Sequence, residues 1–385
     1  MAKKILMATA NHWNSPFKVG SHEIAKAFIH DGWDVLYLSD PISPFHKLKS
    51  KNELIADRIE INKSGGKKYF DDKLISYVPY SLFTPYPLPF FNSKFTYKNW
   101  NKYSLPNISR KIKEFGFDKV DVLYFDSIYQ SFLVNSINFR KSVFRLADNN
   151  SGFTRYGKNS MSVEKLLAGK VDLVLYTARN LKEYVNNLSP QKAAYFPNGV
   201  NFDNFNKGSK SLPDEFNSIP SPRILYVGAI HEWFDFDLVE KTAKEYPNYS
   251  FVLIGNKESA AARFSHLKNV YLLGIKKYTE LSKYIYNSDV GIIPFNKLKY
   301  PDLVNSINPL KLYQYFACGL PVVSVSWNEI EMLNSPAKLY SNPNHFGTLL
   351  KQTIETEKNP EFLMEYAKQF DWKNKFQNLK SLLEI

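Results

Sequence analysis

Apolar residues in this chain fall into short blocks, and the polar stretches between them often carry helical spacing. ILMATA (Ile5–Ala10) reads as a buried strand running into the polar loop NHWNSPFKVG. Ser21–Asp31 then places Ile24, Ala25, Ala27 and Phe28 at helical intervals, and WDVLYLS (Trp33–Ser39) is a second strand. Strand, loop, helix, strand is a βαβ unit, and its first loop lies at the carboxyl end of a parallel sheet, where open α/β sheets bind ligands. The loop lacks G-x-G-x-x-G, so the dinucleotide fingerprint is absent.

The alternation resumes further along. Strands are expected at Asp121–Phe125, Ser142–Leu146, Asp172–Tyr176 and Ala193–Phe196. Helices are expected at Ile128–Asn138, Val163–Ala168 and Ala178–Val185. A Gly-, Pro- and Ser-rich stretch without strong period, residues 201–222, reads as an interdomain linker. Beyond it come strands at Arg223–Val227, Ser250–Ile254, Val270–Leu273, Val290–Pro294 and Val322–Val325. Helices are expected at Asp237–Glu245 and at Glu280–Asn287, the latter capped by Thr279. Glycines recur at the strand ends: Gly228, Gly255 and Gly274. Pro360–Leu383 reads as one long terminal helix.

The expected architecture is therefore α/β, with two Rossmann-like doubly wound domains. Residues 1–200 form the N-terminal one and residues 223–359 the C-terminal one, with residues 360–385 returning to the first. A chain of 385 residues with 44% apolar content has volume for two cores. The apolar run after the N-terminal lysines is too short for a signal sequence, and no later run is long enough to span a bilayer. Cys318, the single cysteine, excludes a disulfide framework and fits a reducing interior.

The net charge is +13, and residues 47–113 hold fourteen Lys/Arg against five Asp/Glu. They also hold the aromatic, proline-rich run Tyr77–Trp100. Aromatics interleaved with lysines suit an anionic membrane surface, where rings and lysine stems lie at the interface. Single-stranded nucleic acid is a weaker alternative, because no nucleic-acid motif accompanies the run, and no nucleic-acid partner is expected. A solvated insertion is the plain one.

The densest candidate chemistry lies in NPLKLYQYFACGLPVVSV, Asn308–Val325. Asn308 is a good N-cap and Pro309 suits the first helical position. Lys311 and Gln314 share a face at the helix mouth. A helix N-terminus beside a lysine suits a diphosphate. A plain αβ unit with a surface lysine is the simpler reading of these residues alone. Asp235-Phe236-Asp237 is a D-x-D string, read as a helix cap rather than a metal site, and no His or Cys pair has metal-ligand spacing.

FRLADNNSG, AYFPNGVNFD, YVGAIHEWFDFD and INPLKLYQYFACGLP, in that order, resemble a two-domain glycosyltransferase of GT-B architecture. The subtype they look most like is the xanthan-pathway glucuronosyltransferase. The resemblance implies that Asp148 is the catalytic base, that Lys311 holds the nucleotide phosphates and that Gln314 lies beside it. It implies further donor contacts at Asn308, Pro309 and Leu310, at the Gly228-Ala229-Ile230 loop, and at Gly274-Ile275 against the uracil edge. Ser306 and Gln314 stand where the large retaining family of this architecture has two glutamates, which argues against that family's sugar and ribose contacts. His12, His22 and Glu23 are candidate acceptor contacts.

The implied activity is transfer from a nucleotide sugar, with uridine diphosphate as carrier, to a saccharide or polyprenyl-linked oligosaccharide in polysaccharide or surface glycan synthesis. The mechanism would be inverting, with neither metal nor other cofactor, on the cytoplasmic face of a membrane. A catalytically idle sugar-nucleotide-binding protein and a UDP-sugar epimerase of the same architecture are the alternatives.

Overall fold

A computed structural model describes residues 2–48, 53–86, 91–149 and 158–385. The chain divides into two compact units: Met1–Pro197 with Asn378–Ile385, and Asn198–Gln377. In the N-terminal unit the described strands are β1 (Lys4–Thr9), β2 (Asp34–Ser39), β3 (Lys67–Tyr69), β4 (Leu74–Tyr77), β5 (Lys119–Phe125), β6 (Asn138–Leu146), β7 (Leu173–Tyr176) and β8 (Ala193–Tyr195). They form one sheet in the order β3-β4-β2-β1-β5-β6-β7-β8, parallel throughout except for the β3–β4 pair. Ile5–Ala8, Val35–Leu38 and Val122–Phe125 are buried on both sheet faces, which is why these central strands read as unbroken apolar blocks. The helix Gly20–His30 buries Ile24, Ala25 and Phe28.

The C-terminal unit has β9 (Arg223–Val227), β10 (Ser250–Ile254), β11 (Val270–Gly274), β12 (Val290–Ile293), β13 (Val322–Val325) and β14 (Lys338–Tyr340). Their order is β11-β10-β9-β12-β13-β14, all parallel. Its core runs from Ile224 and Leu225 through Val252 and Ile292 to Tyr313, Phe316 and Trp327.

Five expectations need correction. Ile128–Asn138 forms only a 3-10 turn over Ser131–Asn135. The Ser127 hydroxyl accepts from the Tyr129 amide and Ser136 donates to the Phe132 carbonyl, so side chains take backbone partners that a helix would use. Residues 201–222 are not a free linker. Phe205 and Phe216 are buried in the C-terminal core, and the segment folds as part of that unit.

Thr279 does not cap the next helix. That segment begins as a 3-10 turn at Tyr278–Glu280 and becomes α-helical at Leu281–Tyr286. The terminal helix is two helices, Pro360–Lys368 and Trp372–Leu383. They are interrupted where Val200 exchanges backbone hydrogen bonds with Phe370 and Trp372. Lastly, the basic stretch 47–113, as far as it is described, is no insertion: β4 pairs with β2, and Ile61, Trp100, Ile108 and Ile112 are fully buried.

Candidate active site

In the C-terminal unit, β9 leads outward through β10 to β11, and the chain then crosses to β12 on the other side of β9. The order therefore reverses between β9 and β12. Adjacent strand ends at such a reversal leave a crevice at the carboxyl edge.

Lys311 stands at that point. Its ammonium lies 5.3 Å from the ring of Tyr226 on β9 and 5.3 Å from the ring of Phe295, just past β12. Its stem crosses Gly228, where a Cβ would fall 2.3 Å from Cε. Gly228 also has φ +145°, a backbone conformation that favours glycine. The strand ends beside it are stacked backbone on backbone. Gly228 N–H donates to the Ile254 carbonyl (2.9 Å) and Gly255 N–H donates to the Gly274 carbonyl (3.0 Å). The Tyr226 hydroxyl pins the Ala229 carbonyl at 2.7 Å.

Lys311 is carried on the helix Leu310–Ala317. Gly319 and Leu320 close it by donating to the Phe316 and Tyr315 carbonyls, the paired bonds of a Schellman end. The Tyr315 hydroxyl accepts from the Val227 amide (2.8 Å) and so fastens the helix to β9. Lys311, Gln314 and Leu310 are part-exposed at the helix mouth, as their shared face predicts. A cation at a helix N-terminus over glycine-lined strand ends is an arrangement that favours an anion.

Other expected donor residues divide. Gly274 ends β11 and is buried, while Ile275 is exposed beside it. Ile230 points inward, 1% exposed in the core, which leaves Ala229 as the surface of that loop. Pro309 is buried and occupies the cap position without a side-chain cap. Asn308 does not cap the helix. It is 2% exposed, accepts from the Asn198 amide (3.1 Å) and the Tyr313 hydroxyl (3.2 Å), and donates to Glu329 (2.8 Å). With its amide committed to these groups, Asn308 positions the helix rather than meeting a ligand. Asp235 accepts from the Leu238 amide at 3.0 Å, so the D-x-D string is the expected cap, and Asp237 pairs with Arg263.

Sequence reasoning missed Lys257, an exposed cation after β10. A Cβ on Gly274 would meet its Cε at 2.7 Å. Glycine at the end of β11 was the available signal.

The N-terminal unit has its own reversal, between β1 and β5. There the Ala10 amide donates to Asp126 at 2.9 Å. Burial raises the pKa of Asp126, opposed by hydrogen bonds from Ser21 and Ala10 and by the charge of Arg145. Asp148 follows β6 on the same carboxyl edge and is part-exposed. Asn150 and the following Ser-Gly of the quoted motif lie outside the described residues.

Of the three acceptor candidates, two turn inward. The His22 ring is fully buried, accepting from the Val19 amide at Nδ1 (3.3 Å) and meeting the His12 carbonyl at Nε2 (3.1 Å). Burial, with Lys18 nearby, lowers its pKa to about 3. It is thus a neutral Nε2–H tautomer holding a helix start, with no surface for an acceptor. Glu23 is 5% exposed and pairs with Lys26 at 2.8 Å. His12, 4% exposed, keeps an Nε2 atom without a hydrogen-bond partner. Among the described residues no group of three or more His, Cys, Asp or Glu is placed to hold a metal ion.

Two largely parallel α/β sheets in separate units, one with a lysine-bearing helix mouth at its reversal, match the GT-B architecture. Residues 7–177 match the family described as "Glucuronosyltransferase GumK, N-terminal domain", and residues 221–350 match "Glycosyl transferases group 1". The two matches, with the fold, support a GumK-like glycosyltransferase of GT-B architecture.

Among its relatives is a protein of Bacillus subtilis (strain 168) named as a teichuronic acid biosynthesis glycosyltransferase, TuaH. It is 27% identical over 154 residues, 38% of this chain, and the match spans only 37% of that relative's length. Sucrose-phosphate synthase from Thermosynechococcus elongatus superposes with a TM-score of 0.70 at 13% identity, covering 99% of this chain and 98% of that one. Anabaena HepE in complex with UDP-glucose gives 0.65 at 13% identity, covering 99% of both.

Proposed function

We propose that this chain moves a sugar from a uridine-diphosphate donor to a saccharide acceptor in the assembly of a polysaccharide or surface glycan. The observation that carries the reading is Lys311, set at the reversal of the C-terminal sheet over Gly228. The similarity to TuaH, named for teichuronic acid biosynthesis, supports the glycan class, and the UDP-glucose complex of HepE supports the donor class.

In this reading the acceptor oxygen attacks the anomeric carbon while Asp148 takes its proton, and the bond from that carbon to the diphosphate oxygen breaks. The departing diphosphate carries the developing charge, which Lys311 and the helix mouth stabilise without a metal. One displacement inverts the anomeric centre.

The acceptor is lipid-linked, and the chain works as a peripheral protein on the cytoplasmic side of a membrane. A cavity of about 260 Å³ in the N-terminal unit supports this. Phe83, Phe91, Phe95, Trp100 and Tyr103 line it. Phe83, Phe95 and Tyr103 are 48%, 64% and 40% exposed, an apolar surface that water alone would not favour. Lys94, Lys98 and Lys102 are exposed on the same segment as the exposed rings of Phe95 and Tyr103, so cations stand beside the aromatic surface.

Incubation with a panel of nucleotide sugars, with and without glycolipid acceptors, tests the reading. Asp148→Asn is expected to lose about 10²–10⁴-fold in turnover while nucleotide affinity is kept. Lys311→Ala, and Gly228→Ala by displacing the Lys311 stem, are expected to weaken UDP binding about 10–100-fold in calorimetry. Near-normal turnover in Asp148→Asn removes the base. A product change in the sugar without acceptor indicates epimerisation instead.

A further inference from the structure

The two halves of the C-terminal sheet finish differently at their carboxyl edge. β9, β10 and β11 run out into Gly228, Gly255 and Gly274, whereas β12 and β13 run out into Pro294 and Ser326. Past β13, Lys297 donates to the Ser326 carbonyl (3.0 Å) and Trp327 is fully buried. On that side the chain's own groups close the strand ends.

On the glycine side a second lysine repeats the arrangement of the first. A Cβ on Gly274 would fall 2.7 Å from Lys257 Cε and 3.5 Å from its Nζ. The Lys257 stem thus lies across the end of β11 as the Lys311 stem lies across the end of β9. Gly274 is buried beneath it, while Lys257 and Ile275 are exposed. A ligand arriving at the end of β11 therefore meets an ammonium group and an apolar side chain rather than the Gly274 backbone. Among the described residues no carboxylate pairs with Lys257. The neighbouring Asn256 side chain is already engaged, accepting from the Glu258 amide (3.1 Å).

β9 and β11 lie two strand spacings apart, about 10 Å. A nucleoside diphosphate with its phosphates at Lys311 spans that distance to its base, and the strand ends on the way carry no side chains to stop it. We propose that Lys257 reads the base of the donor nucleotide and selects uracil over cytosine, with Ile275 against the ring face. The proposal rests on the uridine-diphosphate reading and deepens it by naming the residue that chooses the base. An ammonium group only donates. Uracil offers it a carbonyl oxygen, as thymine does, at the position where cytosine carries an amino group. Two donors facing each other leave both unpaired, which costs affinity.

Calorimetry on the full chain compares UDP with CDP, probes that share ribose and phosphates and differ in the base edge. The wild type is expected to bind UDP more tightly by about fivefold or more. Lys257→Met should bring the two affinities within about twofold, through loss of UDP affinity. Lys257→Glu, whose carboxylate accepts from the cytosine amino group, should turn the preference toward CDP. Lys311→Ala is the contrast: it should weaken both nucleotides alike and keep their ratio. Lys257 is exposed, so both of its substitutions should melt with the wild type. A wild-type ratio in either Lys257 variant overturns the assignment, whether both affinities fall together, as for a phosphate contact, or neither moves. Equal affinities in the wild type overturn it too. Failure of the donor reading shows separately, as binding of neither nucleotide by the wild type, and takes the assignment with it.

Discussion

At the scale of single residues, burial decides which groups can work. His22 looked like a candidate from its place at the start of the first helix, but its ring is spent on two backbone groups. Asp40 carries no motif, and yet burial, opposed by the Ser127 hydroxyl and the Arg58 charge and aided by Asp126, pushes its pKa up to about 7. The unfolded chain releases that proton near pH 4. The folded state therefore gains from Asp40 in full below about pH 4 and loses that gain as pH rises through 7. Asp40→Asn abolishes the dependence. Urea unfolding at pH 5 and pH 8 should show the wild type losing on the order of 1–3 kcal/mol more than the variant between them. Parallel behaviour would mean the carboxyl is solvated. The place of Lys311 at a helix mouth, by contrast, was legible in the sequence, because the helix and the strand ends around it are local patterns with local causes. Asp40 was not, since its neighbours Ser127 and Gln130 lie far along the chain.

At the scale of elements, the helix Leu310–Ala317 shows how supports are divided. Its C-terminal stop, Gly319, was readable from Gly-Leu-Pro. Its start was misplaced because Asn308 has the right chemistry for a cap, and tertiary partners claimed it first. Asn308→Ala leaves the Asn198 amide and Glu329 without their buried partner, at a cost of about 1–3 kcal/mol. Thermal melting should register that loss together with weakened UDP binding, since the helix bearing Lys311 loses its anchor. An unchanged melting temperature would show the contacts to be incidental. The D-x-D string went the other way: capping by Asp235 was read correctly, because the N-cap bond spans three residues. The turn at Ser131–Asn135 defeated periodicity because serine hydroxyls took the backbone partners.

At the scale of the whole molecule, no helix among the described residues is long and apolar enough to cross a membrane. The proposed membrane contact rests on the exposed lysines and aromatic rings between Phe83 and Tyr103. Reversing Lys94, Lys98 and Lys102 to glutamate should cut co-sedimentation with anionic vesicles about tenfold or more at low salt, at about 1 kcal/mol per lysine. UDP affinity should be unchanged. Equal sedimentation of wild type and variant would reject the membrane reading. The sequence by itself determined the two-sheet α/β plan, most strand positions and the lysine helix, because each depends on contacts between near neighbours or on a period that one segment carries whole. Tertiary structure alone decided that residues 201–222 join a core, that the terminal helix breaks against Val200, and that Asp40, Ser127 and Gln130 meet. Those outcomes rest on burial and on partners distant in the chain, and no local pattern encodes a partner that only folding brings near.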